Sequence, residues 1–140
     1  MKPIFKNILA LIAGVVAGSI VNMGLVAISG SIIPPPEGVD PSNMESLKAN
    51  MHLFEARHFI FPFLAHALGT LAGAFIVGLF AANFKLILAL TIGIFFLIGG
   101  ILMVLSVSSP LWFSILDLSL AYIPMAWLGR KLAGFSDTKH

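Results

Sequence analysis

The chain has no cysteine and only one tyrosine among its 140 residues, and just 10% of them are charged. Without cysteine there is no disulfide, no thiol redox chemistry, no cysteine nucleophile and no thiolate metal site. The shortage of charge excludes more. Soluble domains are about a quarter charged and about half apolar, whereas this sequence is 59% hydrophobic with a mean hydropathy of +1.02. Its polar groups are too few to cover its own surface, so lipid is the expected solvent. A pI near 9.2 could suggest nucleic acid, but the basic residues form no patch with interleaved aromatics. They gather instead at the ends of apolar runs, and one domain is expected at this length.

Four such runs, at about 7–33, 59–82, 84–107 and 111–132, are long enough to cross a bilayer, which takes ~20 helical residues at ~1.5 Å each. The first follows Lys2 and Lys6 as a signal peptide would. It exceeds the ~7–15 residues of a signal's apolar segment, so it is expected to be retained. The expected fold is all-α: an integral membrane four-helix bundle. With both termini cytoplasmic, Lys2, Lys6, Lys85, Arg130, Lys131 and Lys139 lie inside, and only Lys48 and Arg57 outside. The positive-inside rule favours that orientation, and Trp112 and Trp127 suit the two interfacial aromatic belts. His140 is expected to be a tail residue.

Between the first two runs, residues 34–58 form the outer loop and an additional amphipathic helix. Pro34, Pro35 and Pro36 favour extended polyproline geometry. Ser42-Asn43-Met44-Glu45 matches a capping box, which would start a helix at Asn43. Met44, Leu47, Met51 and Phe54 then form one apolar stripe opposite Glu45, Lys48, His52 and Glu55, suited to lying on the outer membrane surface or to capping the bundle. A straight helix from Asn43 to Ala82 would be about 60 Å long, so a kink is expected at Pro62. Arg57 and His58 would fall at that bend and reach the headgroups.

The outer interfacial cluster His52, Glu55, Arg57 and His58 is a weak metal candidate. Glu55 and His58 have the Glu-x-x-His spacing of di-iron bundles, but such sites need two such motifs. His52 and His58 point about 120° apart around a helix, so they do not close on one zinc ion. Bis-histidine haem ligation would need two histidines facing each other within the spans, and only His66 lies there. No metal, cofactor or catalytic set is expected.

His66, Asp117 and Asn22 are the conspicuous polar residues within the apolar runs, each about two turns from the outer end. An ionised carboxylate there costs ~2.5–3.5 kcal/mol. Asp117 should therefore face inward, with His66 as its simplest partner and Asn22 and Tyr122 as further hydrogen-bond candidates. This intramembrane polar site has two readings. It is interhelical packing glue, typically ~0.6 kcal/mol per contact, or it is a proton, ion or solute site.

Small residues recur every fourth position: Ala10, Gly14, Gly18 and Asn22 in the first run, Ala65, Gly69 and Gly73 in the second. Such faces let helix backbones approach closely, so the first two spans are expected to pack together, within one chain or between subunits. Gly93 and Gly100 give the third run a small-residue face. Pro124 interrupts the fourth, freeing the carbonyl of Leu120.

The run "PPPEGVDPSNMESLKANMHLF", followed by "HFIFPFLAHALGTLAGA", resembles a group of small bacterial inner-membrane proteins with four spans and no known activity. The resemblance implies a bacterial cytoplasmic membrane location and carries no function. The expected function is that of a non-enzymatic accessory protein whose outer segment contacts a membrane protein partner or a second copy of the chain, within the lipid bilayer. The alternative is a small transporter or channel subunit using His66 and Asp117. An outer-leaflet lipid-modifying enzyme using His52, Glu55 and His58 is the third possibility.

Overall fold

A computed structural model describes residues 1–137; Lys139 and His140 lie outside the described residues. Helix α1 runs Pro3–Ile32, with proline at its first position, where a missing N–H leaves no bond unmade. A short helix, α2, spans Met44–Asn50. It is followed by α3 at Ile60–Phe80, α4 at Lys85–Val107, α5 at Leu111–Leu120 and α6 at Ile123–Asp137. Among the described residues every regular element is helical. Four helical stretches are long and apolar enough to cross a membrane: α1, α3 with the turn before it, α4, and α5 with α6.

The distribution of side-chain size is the one that a lipid solvent would favour. The core is rich in small residues, among them Ala65, Ala74, Ala89, Ala126 and Ala133, with Ile92, Phe113 and Tyr122 among the few large ones, while Ile20, Met23, Ile87, Leu105 and Leu111 are exposed. Apolar burial gives little drive when the solvent is itself apolar, so close van der Waals packing has to hold the helices together. Helix α3 is the hub and touches α1, α4, α5 and α6; its most extensive interface is with α1 and its second with α6. At the first, a Cβ added to Gly18 would lie 2.6 Å from the Gly69 carbonyl oxygen, and one added to Gly73 would lie 2.7 Å from that of Gly14. The two small-residue stripes therefore meet within one chain. On α4, Gly93 receives Ala126 and Gly100 receives the ring of Tyr122.

One polar clamp closes the end of the bundle near the first residues. The Asn7 side chain accepts from the Ala82 amide at 2.8 Å and donates to the Asn83 carbonyl side chain at 2.7 Å. It thus ties α1 to the α3–α4 turn, where Phe84 holds a left-handed backbone at φ 53°. Asn7→Ala is expected to cost about 1 kcal/mol, seen as a lower melting temperature in detergent with unchanged helix content.

The outer segment differs from the sequence expectation in three ways. The N-cap is Asn43, not Ser42: its side-chain oxygen accepts from the amides of Glu45 and Ser46 at 2.9 and 3.1 Å. Ser42 is engaged elsewhere, donating its hydroxyl (2.6 Å) and its amide (3.0 Å) to Asp40. Those two bonds hold the Asp40 carboxyl below the usual carboxylate range.

The expected continuous amphipathic helix is also broken. Only seven residues form α2, followed by 3₁₀ turns at Met51–Leu53 and Ala56–Phe59, with Phe54 and Glu55 extended between them. The intended stripe is divided: α2 packs against α4, Leu47 and Met51 are half-buried, and Met44 stays exposed. Third, Pro62 does not interrupt the helix. Helix α3 starts at Ile60, so Pro62 lies in its first turn, where an amide proton would have no intrahelical acceptor.

Candidate functional site

The pair foreseen between the second and fourth spans is formed. His66 Nδ1 lies 2.8 and 3.0 Å from the two oxygens of Asp117, which is only 1% exposed. An Nδ1–H donated to a carboxylate fixes the imidazole tautomer and leaves Nε2 with its lone pair free to accept. The Tyr122 hydroxyl donates to the same carboxylate at 3.2 Å. Its ring stacks on that of His66, with centroids 5.7 Å apart and planes 25° from parallel. Thr70 donates its hydroxyl to the His66 carbonyl at 2.8 Å, which anchors that turn of α3.

Tyr122 reaches Asp117 only because the fourth span is broken. Residues five apart on a continuous α-helix point about 140° away from each other. Here α5 ends at Leu120 and α6 restarts at Ile123 with Pro124 in its first turn. The last bond of the first piece runs from the Ala121 amide to the Asp117 carbonyl, and the first of the second from Ala126 to Tyr122. The interruption expected from Pro124 is therefore real, and its effect is to place Tyr122, 2% exposed, against the carboxylate.

Beside the pair lies a cavity of about 260 Å³ lined by Asn22 from α1, His66 and Thr70 from α3, Phe96 and Met103 from α4, and Tyr122. Of the glycines on its wall, Gly99 has nothing within 4 Å of a Cβ placed there, whereas Gly18, Gly69 and Gly100 lie in close contact with Gly69, Gly18 and Tyr122. The His66 side chain is 23% exposed against 2% for that of Asp117, and His66 lines the cavity while Asp117 does not. Asn22 shares the cavity without joining the hydrogen-bonded group. Its Oδ1 is buried and has no partner among the described residues. Thr70, Phe96 and the two α4 glycines were not foreseen; only Gly100 carried a signal, as part of a small-residue face.

The outer interfacial cluster is not assembled as one site. Glu55 and Arg57 form an exposed ion pair at 3.3 Å, and His52 is exposed. His58 does not reach outward to headgroups. It is buried, its Nδ1 accepts from the Glu55 amide at 2.8 Å, and its ring meets Phe54 edge-on. The side chain is used to close the turn before α3. Among the described residues no three His, Asp or Glu side chains converge on a metal position.

No protein-family model, no curated protein and no solved structure matches this chain.

Proposed function

We propose that this chain is a multi-pass protein of a bacterial cytoplasmic membrane, with both termini inside, that binds and moves a small solute through the His66–Asp117 site in exchange for a proton. The observation that carries this reading is the juxtaposition of a buried carboxylate–histidine pair with a cavity that the histidine lines. Packing glue needs the hydrogen bonds but has no use for the cavity. An ionised Asp117 within a span costs ~2.5–3.5 kcal/mol; a proton on His66 offsets that cost, and so does a positive group bound beside it. Lysine and arginine in the spans lie at the opposite ends from Asp117, which leaves the pair to manage its own charge.

The test is proton or solute flux in proteoliposomes. Asp117→Asn and His66→Ala should each lower flux at least tenfold, with intact folding checked by melting. Unchanged flux in both folded variants would end the proposal.

The accessory role is a second reading, carried by the ordered outer segment with Met44 and Leu53 exposed. It expects a specific membrane protein to co-purify, or a dimer to form, through that segment. It also expects loss of that association when Met44 and Leu53 are both replaced by serine.

A further inference from the structure

We infer that Gly100 of α4 is a positioning residue for the His66–Asp117 site: the room it leaves on α4 lets the Tyr122 hydroxyl donate to the Asp117 carboxylate. The placement stands on geometry alone, and its effect on transport rests on the solute-site reading above.

The hydroxyl end of the Tyr122 ring is where α4 meets it. A Cβ added to Gly100 would lie 2.7 Å from Cζ and 2.9 Å from Cε2, with the hydroxyl oxygen nearer still. Carbon atoms in favourable contact sit ~3.5–4.0 Å apart, so a side chain here overlaps the ring. The atoms it overlaps include the one that donates to Asp117 at 3.2 Å.

The surroundings leave the ring little room to yield. Tyr122 is buried in a cluster with Ala67 and Ala121 and stacks on His66 of α3. Its carbonyl accepts the first bond of α6, from the Ala126 amide. Two turns earlier on the same face of α4, a Cβ added to Gly93 would lie 2.8 Å from that of Ala126 and 3.3 Å from the Tyr122 carbonyl oxygen. The main chain of the break is thus pressed against α4, and a methyl at position 100 is met by the Tyr122 side chain turning away. An O–H···O bond is ordinarily ~2.5–3.0 Å long. At 3.2 Å the bond to Asp117 is already long, so even a small turn breaks it.

Glycine weakens a helix interior relative to alanine, and α4 shows what glycine does with and without a neighbour. Next to Gly100, Gly99 is exposed and has nothing within 4 Å of an added Cβ. It supplies the control. A ring that merely packs needs the space at Gly100 but has no need of the hydrogen bond, so the test reads the carboxylate itself.

The experiment follows the side-chain carboxyl 13C signal of Asp117 in the aspartate-labelled full chain in nanodiscs, assigned by its loss in Asp117→Asn. Tyr122→Phe removes the hydroxyl, keeps the ring and should move that signal. Gly100→Ala should move it in the same direction by a comparable amount, and the two together no further than either alone. Gly99→Ala should leave it in place. Gly100→Ala should also lower the melting temperature by several degrees, whereas Gly99→Ala keeps or raises it. If Gly100→Ala does not fold, Tyr122→Leu removes all three overlapping atoms. Gly100→Ala in that background should then melt no lower than Tyr122→Leu alone.

A carboxyl signal that moves in Tyr122→Phe but not in folded Gly100→Ala overturns the assignment. So does one that Gly99→Ala moves as far, one indifferent to Tyr122→Phe, or a cost of Gly100→Ala that Tyr122→Leu fails to relieve. Flux in proteoliposomes separates this from the transport reading: Gly100→Ala and Tyr122→Phe should lower it alike, several-fold, and Gly99→Ala should not. If the carboxyl signal behaves as expected but flux ignores Asp117, the transport reading falls and the placement of Tyr122 by Gly100 stands. If flux depends on Asp117 but neither the signal nor flux responds to Gly100→Ala, only the Gly100 assignment falls. A signal that moves while Asp117-dependent flux does not would overturn the role of Gly100 in transport.

Discussion

Gly18→Val should lower the melting temperature of the detergent-solubilised protein more than any other single valine placed on α1. A Cβ at this position would lie 2.6 Å from the Gly69 carbonyl oxygen and 2.9 Å from the Phe96 ring. The ring could turn aside, but the carbonyl belongs to the backbone of α3 and can retreat only if the two helices separate. Overpacking in a well-packed core typically costs 1–3 kcal/mol, and a backbone obstacle places this substitution near ~3 kcal/mol. Gly24→Val is the internal control. Nothing lies within 4 Å of that position, and valine is a slightly better helix former than glycine, so its melting temperature should stay level or rise slightly. Should the two variants melt alike, the α1–α3 interface is not held by glycine-to-backbone contact.

His66→Ala should destabilise the protein more than Asp117→Leu does. Removing the histidine strips a carboxylate that is 1% exposed of its closest donor, leaving only the 3.2 Å bond from Tyr122. Breaking a buried charged pair in this manner costs ~3–5 kcal/mol. Protonation of the stranded acid limits the penalty to about the ~2.5–3.5 kcal/mol of burying the charge in a span. Removing the acid instead leaves a neutral imidazole on the edge of a cavity and the buried Tyr122 hydroxyl without its acceptor, a smaller cost of ~1–3 kcal/mol. The doubly substituted protein, His66→Ala with Asp117→Leu, should then recover part of what His66→Ala lost. Unfolding in mixed micelles, with helix content as the readout, measures all three. The reverse order of the two single variants would show that Asp117 is neutral in the folded protein.

How much of this was legible in the sequence depends on what each feature needs. The spanning runs required only length and hydropathy. The third is the clearest case, expected at 84–107 and found at Lys85–Val107, because αL residues at Phe84 and Ser108 bound it on both sides. His66 and Asp117 stood out because an ionisable group in an apolar run is costly unless partnered. The α1–α3 contact followed from glycines spaced four apart.

The outer segment was harder, since several side chains competed for the same amides. Asp40 took the Ser42 hydroxyl and left Asn43 to start the helix, a choice of geometry that spacing does not encode. Tyr122 was a candidate, but its approach depends on a break that rotates one half-helix against the other. The cavity was invisible from any single run, because its wall is drawn from α1, α3, α4 and the α5–α6 break together. For the same reason Asn22 was expected to hydrogen-bond the pair, and instead it lines the cavity with its oxygen unengaged.

The central place of α3 has a consequence for how the polypeptide is made. Synthesis runs from the N-terminus, so α1 is made with its glycine face already complete and nothing yet present to meet it. Its counterpart emerges only after the whole outer segment has been translated, and that segment must stay slack enough for the two to find each other. The last helix, α6, then closes on the opposite side of α3. Nascent chains halted before Pro110 would already hold the first pair of helices while His66 still lacked its carboxylate, so the scaffold exists before its charge chemistry does.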